Sequence, residues 1–97
     1  ALDTMASTCP VVKAQLRRTP DGTDTVLVVH NFSDSAQSEC TLGLASSPLA
    51  EGSLTATDLL TGDAADPMPV RAGGAIEDYQ PLQTIAPRQT VILSLTP

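Results

Sequence analysis

The chain has no tryptophan, one phenylalanine, one tyrosine, one histidine and only five basic residues in 97. Each scarcity removes a class of function. Five bases against eleven acids leave a formal charge of −6, with Arg17 and Arg18 adjacent and the others scattered. Without a basic patch, and without aromatics to stack on bases, nucleic acid is a poor partner. An anionic membrane surface is equally poor. No apolar run approaches the roughly 18 residues of a membrane span. One histidine and two cysteines, 31 apart, fit no zinc signature, so no metal and no cofactor is expected. A single histidine among scattered acids makes no Ser-His-Asp arrangement.

What remains is aliphatic. Valine, leucine and isoleucine must carry the core, at about 1.5–3 kcal/mol for each fully buried side chain. Ninety-seven residues suffice for one domain with one modest core. The stretch TVLVVHNFS, Thr25 to Ser33, is the strongest strand signal. Its apolar density calls for cover on both faces and a place in the middle of a sheet. Val26, Val28 and His30 point one way, and Leu27, Val29 and Asn31 the other. Asn31 stands where the apolar pattern breaks and is expected to bond the backbone of the next turn.

Around it, alternation and turn signals divide the chain. Residues 1–10, ALDTMASTCP, place Leu2, Met5, Ala6 and Cys9 at helical spacing before Pro10, which reads as a lead-in or short helical turn. Residues 11–97 form the β domain. Val12, Ala14 and Leu16 alternate with Lys13, Gln15 and Arg17, a half-exposed strand. Thr19 to Asp24, with Pro20 and Gly22, makes a hairpin loop to the central strand. Gln37 to Leu44 alternates again, and Gly43 marks a bulge or close approach. Leu54 to Leu60 is a shorter strand. Ala64 to Gly74 holds Pro67 and Pro69 and allows an edge strand only near Met68 to Arg71. Ala75 to Gln80 reads as loop, Pro81 to Ile85 as a strand, and Thr90 to Thr96 as the closing strand. Six to eight strands with turns every eight to twelve residues predict an all-β fold, an antiparallel Greek-key β-sandwich.

The polar residues offer little chemistry. Asp21 with Asp24, Asp63 with Asp66, and Glu77 with Asp78 are the carboxylate pairs that could serve as acid and base. All fall in expected turns, where aspartate caps backbone. Calcium at Asp21, Asp24 or Asp63 would need the alternating ligand pattern that is missing here. No catalytic residue is therefore assigned. His30 reads as a hydrogen-bonded core or interface residue. Cys9 and Cys40 are read as buried or partly buried free thiols in preference to a disulfide.

Three segments together resemble a known domain: VLVVHNFSDSAQ at Val26 to Gln37, TDLLTGD at Thr57 to Asp63, and LQTIAPRQTVILSL at Leu82 to Leu95. Their order is similar to the C-terminal β-sandwich of the α-amylase superfamily, glycoside hydrolase family 13. Within it, sucrose phosphorylases, amylosucrases and bacterial α-glucosidases look nearest. The resemblance covers nearly the whole chain from Val11 on, and DLLTG following HNFS is its most specific part. It implies an accessory domain without catalytic residues, packed on the catalytic (β/α)8 barrel of the same polypeptide, and a chain excised from something longer. The alternatives are an α-glucan-binding module and a fibronectin-like interaction module. For glucan, Tyr79 in EDYQP is the one expected sugar contact, since Phe32 reads as buried. A cytoplasmic setting is slightly favoured over a secreted one.

Overall fold

A computed structural model describes residues 2–19, 24–47 and 49–96. In chain order the strands are β1 Leu2–Ser7, β2 Val12–Arg18, β3 Thr25–Asn31, β4 Gln37–Ser38 and β5 Leu42–Leu44. There follow β6 Gly52–Asp58, β7 Ala64–Val70, β8 Ile76–Tyr79, β9 Thr84–Ile85 and β10 Thr90–Thr96. A single 3-10 turn, Ala72–Gly74, joins β7 to β8. Eight strands form one antiparallel sheet in the order β7-β6-β10-β3-β2-β1-β5-β8, and β4 pairs with β9 apart from it. The fold is all-β.

The sheet wraps until its two edges meet. Strand β1 is the corner. Its first half, Leu2 to Met5, pairs with β2, and Ala6 and Ser7 pair with β5. At the far seam, the Tyr79 hydroxyl of β8 donates to the Asp66 carbonyl of β7 at 2.7 Å. The result is a nearly closed, barrel-like sheet around one core.

Register explains that core. Leu27 lies between Leu16 and Leu93, and Val29 between Ala14 and Val91. All six are buried. Period-two alternation places every second residue of β2, β3 and β10 inside, as the sequence predicts. Strand β3 does lie in the middle of the sheet, but only one of its faces is fully covered. Val26, Val28 and His30 are half-buried.

Several expectations are corrected. Residues 2–7 are a strand, not a helical turn, because pairing with β2 on one side and β5 on the other satisfies their backbone. Gln37 to Leu44 is not one strand. Glu39, at φ 56°, breaks it into β4 and β5. Residues 76–79 are strand β8, polar on one side only, with Ile76 and Tyr79 inside. Strand β7 is a full seven residues and tolerates Pro67 and Pro69 because it ends the hydrogen-bonded order. The bulge at Gly43 is present: register shifts between Leu42 and Leu44, and a Cβ on Gly43 would lie 3.3 Å from the Ile76 carbonyl. Pro20, Asp21 and Gly22 lie outside the described residues. The ends of their loop are joined, Thr19 N–H donating to the Asp24 carbonyl at 3.0 Å.

The free-thiol reading is also overturned. Cys9 and Cys40 form a disulfide, with Cα atoms 5.5 Å apart. The β1–β5 pairing, continued by Thr8 N–H to the Thr41 carbonyl at 3.0 Å, carries the two cysteines together. Spacing alone gives no access to that, because the pairing is long-range.

Candidate functional site

Asn31 ends β3 fully buried and is saturated with backbone partners. Its amide nitrogen donates to the carbonyls of Ser35 at 2.9 Å, Ile85 at 3.2 Å and Ala86 at 3.1 Å. Its side-chain oxygen accepts from Ser33 N–H at 2.9 Å. Asn31 thus ties the turn after β3 to the segment leading into β10. The expectation that it bonds the next turn holds, and its reach to Ile85 and Ala86 adds a long-range link. With every polar atom committed, it has no capacity for a substrate.

His30 points to the outer face. Its Nδ1 lies 2.6 Å from the Thr90 hydroxyl, and its ring meets Phe32 edge-on at 4.3 Å between centroids. Phe32 is 54% exposed, not buried as its sequence context suggests, because the chain has left the strand by then. Tyr79 goes the other way. It is 3% exposed, and burial, with the Asp66 carboxylate adding to it, pushes its phenol far above the ordinary value. A buried ring has no face for a sugar, so Tyr79 is a seam residue and not a stacking platform.

The carboxylate pairs do not assemble a site. Asp24, Asp63, Asp66, Glu77 and Asp78 are all exposed, and Asp21 lies outside the described residues. Glu77 pairs with Arg71 at 3.2 Å on the surface. Among the described residues no three metal-ligating side chains converge. A shallow cavity of about 410 Å³ lies between β5 and β8, lined by Gly43 to Ala45 and Ala75 to Asp78. It is open to solvent, and its polar lining side chains among the described residues, Glu77 and Asp78, are exposed.

What sequence reasoning missed is that β6 ends at Asp58 and its turn leaves Leu59 and Leu60 outside the strand. Asp58 is nearly buried, and its carboxylate accepts from Leu60 N–H at 2.8 Å and Thr61 N–H at 3.3 Å. Its own N–H donates to the Asp63 carbonyl at 2.8 Å, and Gly62 N–H returns to the Asp58 carbonyl at 2.7 Å. Leu59 N–H donates to the Ile92 carbonyl of β10 at 2.8 Å. This closed lattice holds Leu59 and Leu60 outward, 57% and 64% exposed. Adjacent leucines before Thr-Gly-Asp were the available signal, since consecutive strand residues cannot face one core together.

No helix among the described residues is long and apolar enough to cross a membrane. Comparison of the chain with family models, with curated proteins and with solved structures returned no match.

Proposed function

We propose that this chain is a non-catalytic accessory domain of an α-amylase family enzyme of glycoside hydrolase family 13, packing on and stabilising that enzyme's catalytic (β/α)8 barrel in carbohydrate metabolism. The resemblance of HNFS, DLLTG and the final strand supports this reading. The observation that carries it is the Leu59–Leu60 turn. Two large apolar side chains are held in water by a fully hydrogen-bonded turn. Such presentation gains nothing for the domain alone and suits burial against a neighbour. The role proposed is one of support, and the described carboxylates Asp24, Asp63, Asp66, Glu77 and Asp78 are exposed. The experiment is to produce the enzyme with and without these residues and compare solubility, melting and activity. The reading requires a lower melting temperature and loss of soluble enzyme on deletion. Unchanged stability and activity would refute it.

A second reading, α-glucan binding, draws on one observation, the exposed ring of Phe32 beside His30. One ring makes a small platform. Titration with maltoheptaose separates the two: amide shifts centred on Phe32 and His30 would favour binding, and a flat titration would remove it.

A further inference from the structure

The outer face of strands β6, β10, β3, β2 and β1 has an unusual composition for an acidic chain. Register places its side chains in rows across the sheet. Lys13, His30 and Thr90 form one row. Gln15, Val28 and Ile92 form the next, and Arg17, Val26, Ser94 and Thr57 the third. Further outward positions of β1 and β6 whose burial is described are Thr4, Ala6, Ser53 and Thr55. None of these carries a carboxylate, although the chain has eleven acids. Of the acids on these strands, Asp58 is used by the turn after β6 and Asp3 is register-paired with the inward Leu16; the other described acids are exposed in turns or on β7 and β8.

The face is also graded. Its centre is aliphatic and half-buried: Val26, Val28 and Ile92. Towards β6 it is lined by hydroxyls. Towards β2 it carries Lys13 and Arg17, neither paired with a carboxylate among the described residues. Arg17 instead donates to Gln15 Oε1 at 3.4 Å. The backbone bond from Leu59 to Ile92 sets the start of the exposed leucine turn beside β10, whose Ile92 belongs to the aliphatic centre.

We infer that this carboxylate-free face is a protein-docking surface, and that its partner is a folded protein surface, apolar at the centre, bearing carboxylates opposite Lys13 and Arg17. Excluding acids from one face of a chain of charge −6 is what an acidic partner requires, because like charges brought together at an interface are repelled and desolvated. The aliphatic centre supplies dry contact, and the two cations fix orientation. Only the identity of the partner as the catalytic barrel rests on the accessory-domain reading. The face stands on its own composition.

The test is carbene footprinting of the polypeptide as encoded, beside the 97-residue chain alone. Labelling of Val26, Val28 and Ile92 should fall by about fivefold or more in the encoded polypeptide, as burial at a dry interface centre demands. The double variant K13E/R17E should restore much of that labelling, while R71E/R88E, of equal charge change, should not. Val26, Val28 and Ile92 labelled equally in both samples, with no separate acidic chain cross-linking to the face, would overturn the inference. So would protection in the 97-residue chain that vanishes on dilution, which would mean a second copy as occupant. Leu59 and Leu60 protected with the face still labelled would keep the accessory-domain reading and refute this one. The face protected by a separate chain carrying acidic cross-link sites would do the reverse.

Discussion

The two sides of the sheet are held by different means. Strands β2, β3, β10 and β6 are seven residues each and pair in regular antiparallel register, with leucine and valine meeting in rows. Their cohesion is burial, spread over many side chains. Strands β5 and β8 have three and four residues and a bulge between them. Two residues, Glu39 before β5 and Asp78 within β8, sit at positive φ. This side is closed by single devices: the Cys9–Cys40 disulfide, the Tyr79 hydrogen bond, and Ser47 Oγ donating to the Gly74 carbonyl at 2.7 Å. Distributed burial fails gradually when one residue changes. A closure made of single bonds fails locally and all at once.

The largest effect should come from the distributed side all the same, because its centre has no room to relax. Leu93→Ala, at a fully buried site opposite Leu27, should cost about 4–5 kcal/mol, the upper end for such truncations. Urea titration would show it, and a cost under about 1 kcal/mol would mean a looser core than register implies. Removing the disulfide with Cys9→Ser and Cys40→Ser should cost about 3–4 kcal/mol for a loop of 31 residues. Hydrogen exchange should then rise first in β5 and β8, leaving β3 and β10 protected. A uniform rise would erase the contrast between the two sides.

Asn31→Ala should cost about 2–3 kcal/mol, since it frees a part-buried N–H and three carbonyls and empties a buried site. Its signature is a loosened link between the turn after β3 and the start of β10. The smallest effect is Tyr79→Phe, about 1 kcal/mol for one lost hydrogen bond. It carries a pH signature. The folded phenol is held above its ordinary value, so the contribution of Tyr79 is complete below about pH 10 and is lost as pH rises beyond it. In Tyr79→Phe that part of the alkaline loss should disappear from a melting series at pH 9 to 11, roughly spanning the ordinary phenol value.

The same division governs what was legible in the sequence. The long strands announce themselves by alternation, so Val12, Ala14, Leu16, Leu27, Val29, Val91, Leu93 and Leu95 were readable as core. Asn31 was readable as a turn-bonding residue because it breaks an apolar run. The short side was readable only at Gly43, whose expected bulge is present. Strand β1 carries a helical spacing that pairing with β2 and β5 overrides, and β8 looks polar because only Ile76 and Tyr79 face inward. The disulfide depends on β1 meeting β5, which no local pattern reports. At the candidate site, Tyr79 and Phe32 exchanged their expected places, since one ring closes a seam and the other lies past the end of its strand. The Leu59–Leu60 turn was visible as a motif, but its exposure follows from the Asp58 cap.

The most direct measurement bears on that turn. The double variant Leu59→Ser with Leu60→Ser should be melted twice, once in the 97-residue chain and once in the polypeptide as encoded. The domain alone should melt unchanged, because both side chains are already exposed and the backbone lattice is kept. In the encoded polypeptide the melting temperature should fall by several degrees, as loss of two buried leucine contacts requires. Equal behaviour in the two samples would contradict the docking role at its root.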